Sequence, residues 1–354
     1  MSNDAPNSRR RRSTEQPTLK QVADAAGVSA ITASRALNRP DQVNELTRAR
    51  VLEAVERLGY VPNLVAGSLA SARSRFIAVI VPSLANSVFI EVIQGLQETF
   101  EAQGYQILLG NTEYDLEREY QLIRTFLGWS CSALVTAGLR HNEACRTLLA
   151  NCDKPIMEVM ELGEALDLNV GLDHTEAGRC MARHLLERGH RQALFIGARL
   201  AGDYRAGMRY EGHREVFEQA GLAAPLLELE RGGLAAPLLE LERGGLDAGA
   251  TGLERALAEH PGIGAIHFAN DDLATGALLH AQRLGLTVPQ RIAIAGFNGL
   301  PIGQHITPRL TTIRSPRQAM GELAATAVIR RLEGQRVVRR QHDVGFELLV
   351  GDST

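Results

Sequence analysis

The stretch LKQVADAAGVSAITASRALNRP, residues 19–40, decides how this chain is read. Just ahead of it, Thr18 and Gln21 form a capping box: the Thr18 hydroxyl takes a free helix N–H while Gln21 reaches back. Val22, Ala25 and Ala26 then make a small apolar face. Gly27 ends this first helix where a left-handed residue is needed. Ser29 caps a second helix from Ala30 to Leu37. A third is expected from about Glu45 to Leu58, with Leu46, Val51, Val55 and Leu58 on one face and Gly59 as its stop. Two short helices joined by a tight glycine turn predict a helix-turn-helix, whose second helix fits the major groove. On that helix Arg35 can grip guanine or phosphate. Thr32 and Ser34 can reach phosphate or base edges, and Ala30 and Ile31 can pack on thymine methyls. A small helical domain that binds protein is the alternative.

Charge favours DNA. Residues 1–75 hold 12 Lys and Arg against 7 Asp and Glu, a balance of +5, while the remainder holds 26 against 34, a balance of −8. A basic head on an acidic body is the asymmetry expected when one end meets phosphate. Residues 1–16, with Arg9 to Arg12, read as a disordered basic tail. No apolar stretch follows that basic run, so it is not a secretory signal, and the chain has no run of 18 uncharged apolar residues. The protein is expected in the cytoplasm, at the nucleoid, with no membrane partner. Cys131, Cys145, Cys152 and Cys180 form no C-x-x-C pair and have no His at zinc-finger spacing, so reduced buried thiols are expected.

A chain of 354 residues implies two or three domains. Residues 17–59 form the head and 60–75 a small-residue hinge in which Asn63 can cap a short helix, Val65 to Ala70. From Phe76 short apolar runs alternate with amphipathic segments: FIAVIV (76–81), YQILL (105–109), SALVT (132–136), PIMEV (155–159) and NVGL (169–172), then ALFIG (193–197), IGAIHF (263–268) and RIAIAG (291–296). This predicts parallel sheets covered by helices on both faces, in two lobes. Lobe one is placed at about 76–165 and 302–325, lobe two at about 166–301 and 326–350. One oddity stands out: GLAAPLLELERG at 221–232 recurs unchanged at 233–244. Two copies make no solenoid, and a duplicated surface connection is the expectation.

The order of residues in LKQVADAAGVSAITASRALNRP and in RVLEAVERLGYVPNLVAGSLAS (50–71) closely resembles the LacI/GalR family of repressors, a resemblance that runs from Leu19 to about Leu349. It implies a small all-α helix-turn-helix head plus an α/β core of two parallel-sheet lobes, similar to type I periplasmic binding proteins. It also implies a homodimer on near-palindromic double-stranded operator DNA. The base-reading positions are then Ala30, Ile31 and Arg35, and Leu69 is the residue that wedges into the minor groove. The candidate DNA contacts are Thr18, Ser29, Ala30, Ile31, Thr32, Ser34, Arg35, Asn38, Asn63, Val65, Leu69 and Ala70. Two departures bear on this set. Ala30 and Ile31 carry no hydrogen-bonding groups, which shifts reading towards Arg35 and operator shape. Leu64 stands where the family often has Arg.

For the core, positional matching implies a ligand cleft. Arg209 faces effector oxygens and Asp271 accepts from a ligand hydroxyl or nitrogen. Ser83, Asn86 and Phe89 line one side, and Asn298 follows the last strand of the second lobe. A planar guanidinium suits a carboxylate. Glu158, amid the apolar run PIMEVM, is costly unless paired or facing the cleft, so Arg209, the ligand or a structural partner must answer it. Within the family the segments SLANSVFIEVIQGLQ, PIMEVMEL and AIAGFNGLPIGQHITPRL are most similar to those of gluconate repressors. The resemblance therefore implies a sugar-acid inducer of the gluconate type, with 2-ketogluconate, a neutral sugar or a corepressor response as alternatives. The C-terminus FELLVGDST lacks a leucine heptad, which suggests a dimer rather than a tetramer. No serine elbow, phosphate loop or metal-ligand set stands out, so no catalytic residue, cofactor or metal is expected. Asp173-His174 resembles a catalytic pair only superficially, and His267 reads as a core residue. A periplasmic sugar-binding protein is a remote alternative, since it needs a signal peptide and no helix-turn-helix.

Overall fold

The structure is a computed structural model that describes residues 17–61, 74–84, 86–198, 200, 202–229 and 245–354. The basic tail (1–16), the hinge positions Asn63, Leu64, Val65, Leu69 and Ala70, and the second copy of the repeat lie outside the described residues. The chain divides into two compact units, residues 1–74 and 75–354.

In the first unit, α1 (Leu19–Ala26), α2 (Ala30–Asn38) and α3 (Glu45–Leu58) follow from their caps. The Thr18 box is complete, Gly27 turns left-handed at φ 65°, Ser29 caps α2 and Asn44 caps α3. Their core is built from small residues: Val22, Ala23 and Ala26 of α1, Ala33 and Ala36 of α2, Val51 and Ala54 of α3. Leu46, expected on that face, is 82% exposed. It sits in the first turn of α3, before the helix reaches α1 and α2.

The second unit holds two six-stranded sheets. In the first, β1 (Phe76–Val81), β2 (Gln106–Asn111), β3 (Ala133–Ala137), β4 (Ile156–Glu161) and β5 (Leu168–Leu172) are parallel. The helices α4 (Ser87–Ala102), α5 (Leu116–Gly128) and α6 (Glu143–Ala150) connect them. After β5 the chain crosses into the second lobe. There α7 (His174–Glu187), β6 (Ala193–Ala198), α8 (Tyr204–Gln219), β7 (Leu226–Leu229), α9 (Leu246–Glu259), β8 (Ala265–Phe268), α10 (Asp271–Arg283), β9 (Ala293–Asn298), α11 (Pro301–His305) and β10 (Thr311–Arg314) follow. It returns through α12 (Arg317–Leu332), adds β11 (Gln341–Asp343) to the first sheet, and crosses once more to lay β12 (Glu347–Leu349) antiparallel on β10.

These crossings correct the expected lobe limits. β5 pairs with β4, so lobe one runs to Leu172 rather than 165. β10 belongs to the second sheet and α12 packs on α4, so the later exchange comes near residue 316 rather than at 301 and 325. Apolar runs reveal strands but not the sheet each will join. The first copy of the repeat is likewise not only a connection: its LLEL is the edge strand β7, with Leu227 and Leu229 buried in strict alternation.

Three helix pairs close on reciprocal glycines. A Cβ at Gly95 of α4 would lie 2.2 Å from the Gln318 carbonyl of α12, and one at Gly321 would lie 2.2 Å from that of Val92. Gly178 and Gly212 do the same for α7 and α8, and Gly249 and Gly276 for α9 and α10. Backbones this close leave no room for any side chain.

Candidate functional site: recognition helix and interlobe cleft

In the head, α2 has two faces. Ala33 and Ala36 are buried against α1 and α3, while Ala30, Ile31 and Arg35 are exposed, Ile31 by 67%. The exposed face thus carries a large aliphatic group one turn from an arginine. Some predicted contacts already have work to do. Ser29 Oγ accepts the Thr32 N–H at 3.1 Å and lies 2.9 Å from the Thr32 hydroxyl. Thr18 Oγ1 accepts from the Gln21 N–H at 3.3 Å. These hydroxyls set the helix starts, and that of Thr18 also donates to Gln21 Oε1 at 3.2 Å. Ser34 lies half-buried on α2, and Asn38 is its last residue.

In the core, the carboxyl ends of β4, β5 and β9 and the starts of α4, α7, α8 and α10 surround a narrow cleft. That is where open α/β sheets place ligands. Four predicted residues line it: Asn86, Phe89, Arg209 and Asn298. Arg209 is buried on α8. Its Nη1 donates to His174 Nδ1 and its Nη2 to the Ala269 carbonyl, each at 2.9 Å. The guanidinium stacks over Phe297, 4.1 Å from the ring centre. Its nearest counter-charge is Asp203, at 3.9 Å and one-third exposed. Burial, with Arg205 nearby, lowers its pKa to about 10, and its Nε–H has no acceptor among the described residues. Because Arg209 donates to Nδ1, the proton of His174 rests on Nε2. Burial first, and the two arginines next, keep that ring neutral.

The other three predicted residues stand behind the cleft. Ser83 is buried and its Oγ accepts the Asn86 N–H at 3.2 Å, fixing the start of α4. Asp271 is fully buried and accepts from the Leu300 N–H at 2.7 Å and the Thr312 hydroxyl at 2.6 Å. It holds the turn beyond Asn298, a residue at φ 125° whose carbonyl accepts from Arg317. Glu158 faces away altogether. It bonds His141 Nε2 at 3.0 Å and the Leu166 N–H at 2.6 Å inside lobe one, so neither Arg209 nor a ligand answers it.

The carboxylate at the lobe interface is Glu161, three residues further along β4. It pairs with Arg205 at 3.1 Å, accepts the Leu139 N–H at 2.7 Å and takes the Tyr204 hydroxyl proton in a hydrogen bond. Burial opposes the charge of Arg205, but Glu161 first, with Tyr204, Asp203 and Tyr114 beside it, together outweigh this and hold it charged. One carboxylate of lobe one thus ties two residues of lobe two. Sequence reasoning missed Glu161, Tyr204, Arg205 and Tyr114, and it set His174 aside. Asp173 caps α7 while His174 meets Arg209. His267 is a buried strand residue, 3.2 Å from His213.

Comparison with known proteins now decides the family. Residues 18–63 match the bacterial regulatory proteins, lacI family, and residues 182–354 match the periplasmic binding protein-like domain. The HTH-type transcriptional regulator GntR of Pseudomonas aeruginosa is 40% identical over 349 residues, 98% of each chain. A regulator of the same name from Escherichia coli is 36% identical, over 96% of this chain and 99% of its own. The chain belongs to the LacI family. It is a DNA-binding transcription regulator, built as a helix-turn-helix head and a two-lobed core. A LacI-family transcriptional regulator from Silicibacter pomeroyi superposes with a TM-score of 0.87 at 36% identity, over 95% of this chain and 99% of that one. The lac repressor dimer bound to operator shares the fold, at a TM-score of 0.81 and 22% identity. Among the described residues no helix is long and apolar enough to cross a membrane.

Proposed function

We propose that this LacI-family regulator represses sugar-acid catabolic genes. As a homodimer it holds a near-palindromic operator through Ala30, Ile31 and Arg35, and it lets go when an acid of the gluconate type fills the cleft. The core senses and does not turn over its ligand.

The observation that carries this is Arg209. A buried guanidinium with one distant, partly solvated counter-charge and an Nε–H without an acceptor is costly to keep. A ligand carboxylate removes both costs in one charge-assisted contact. Around it Asn86, Asn270, Asn298 and Ser315 offer amide and hydroxyl groups to a polyol chain. A neutral sugar would leave the guanidinium uncompensated.

The test is the melting temperature of the full chain with gluconate, 2-ketogluconate, glucose or no addition. A ligand at 100 times its dissociation constant stabilises by roughly 2.7 kcal/mol, which moves the transition by a few degrees. A rise with gluconate but not glucose, absent in Arg209→Ala, is expected. A rise with glucose and none with either acid would overturn the assignment.

A further inference from the structure

Away from the cleft, lobe one brings together three side chains of metal-ligating type from three places in the chain. Glu119 comes from α5, His141 from the loop after β3, and Cys145 from the first turn of α6. Cys145 is fully buried, the His141 side chain is 1% exposed and that of Glu119 is 9% exposed. Glu119 Oε2 lies 2.9 Å from His141 Nδ1 and 3.8 Å from Cys145 Sγ, and all three ligand atoms fall within 4.8 Å of one another. Around a tetrahedral ion with ordinary Zn–N, Zn–S and Zn–O bonds, neighbouring ligand atoms stand roughly 3.3–3.8 Å apart. The Glu119–His141 separation is shorter than that range and the Glu119–Cys145 separation stands at its upper end, so seating an ion requires the carboxylate and imidazole to part.

The surroundings match as well. The far nitrogen of His141 meets Glu158 Oε1 at 3.0 Å. A carboxylate on the second ring nitrogen is the arrangement that fixes the tautomer and raises the basicity of a metal-bound imidazole. Glu158 is itself held by the Leu166 N–H at 2.6 Å. On the other side, Glu119 forms part of the wall of an open hollow of about 370 Å³ between Thr112, Tyr114, Arg140 and Tyr204, so the cluster is reached from solvent through its carboxylate.

We infer that Glu119, His141 and Cys145 form a binding site for a single Zn²⁺-class ion, oriented from behind by Glu158. Thiolate, imidazole and carboxylate together suit zinc and its borderline neighbours and disfavour Mg²⁺ and Ca²⁺, which take oxygen ligands. Without the ion, the same groups form a hydrogen-bonded clamp in which burial disfavours charge on His141 but its bonds to Cys145, Glu119 and Glu158 prevail, lifting its pKa to about 11. The site lies two residues from Leu139, whose N–H meets Glu161 and Tyr204 at the lobe interface.

The test is Co²⁺ titration of the reduced full chain, read by absorption, with Zn²⁺ competition. The expected result is one ion per protomer with a thiolate-to-cobalt charge-transfer band and the visible bands of a tetrahedral ion, displaced by Zn²⁺ but not by Mg²⁺. Cys145→Ala loses the charge-transfer band. Glu158→Gln keeps it and weakens binding by about tenfold to a hundredfold. Melting curves without metal show whether each variant is folded, and Glu119→Gln stands in for any that is not, with the same loss of affinity expected. No thiolate band in the unsubstituted protein, or an unchanged band in Cys145→Ala, would overturn the inference and leave the cluster as a hydrogen-bonded clamp alone.

Discussion

Arg209 is buried, and burial lowers its pKa to about 10, yet it stays the cation at the centre of the cleft. Its Nη atoms are directed by His174 and Ala269, and its plane is fixed on Phe297. Asp271 shows a different residue-scale device. Burial raises its pKa from 3.8 to about 6, so the folded state binds its proton more tightly than the unfolded state does. Its contribution to stability is therefore greatest below about pH 4 and is lost as pH rises through about 6. Asp271→Asn should remove that segment of the stability–pH curve, as measured by denaturant unfolding from pH 4 to 7. In the head, Arg35→Ala should weaken operator binding by about 1–3 kcal/mol and relax preference at one base pair in each half-site, as read by fluorescence anisotropy on single-base operator variants. Arg209 was legible only by its position in the family resemblance. The sequence pointed to the wrong glutamate in PIMEVMEL because both are embedded in apolar strand residues. Only tertiary packing shows that His141 answers Glu158 while Arg205 and Tyr204 answer Glu161.

At the scale of elements, local chemistry was readable wherever it is self-contained. Thr18, Gly27, Ser29 and Gly59 mark helix ends by hydrogen bonds within a few residues: α1 lies between the first two, α2 begins after Ser29 and α3 ends at Gly59. What depends on a neighbouring element was not readable. Leu46 fits the apolar face of α3 by spacing yet is exposed, and LLEL in the repeat looked like part of a connection until β6 paired with it. The glycines that join helices belong to this class. Gly321 would strike the Val92 carbonyl with any side chain, so Gly321→Ala should push α12 off α4 and cost about 1–3 kcal/mol. A melting temperature lower by a few degrees, with the gluconate response still present, would bear this out. An unchanged melting temperature would mean the helices part freely there.

At the scale of the molecule, two lobes were legible from the alternation of apolar runs and helices, and their limits were not. The chain passes between the lobes near residues 173, 316 and 345, and it is the strand pairing of β5, β10 and β11 that assigns each return. The first two lie next to the cleft: His174 flanks one, and Ser315 and Arg317 flank the other. Arg317 ties Glu91 of lobe one at 2.8 Å to the Asn298 carbonyl of lobe two, and Glu161 ties lobe one to Tyr204 and Arg205. A ligand held between the lobes must therefore act on the same contacts that set their closure. A ligand shifts DNA affinity only by its differential affinity for the two states, and coupling of this kind is typically about 1–3 kcal/mol, or roughly 5–150-fold. The most direct test is to select an operator for the full chain from random duplex DNA and measure its dissociation constant with and without gluconate at one fixed salt concentration. Weakening by that factor is expected in the unsubstituted protein and none in Arg209→Ala. Unchanged or tighter binding with gluconate would rule out induction by a sugar acid.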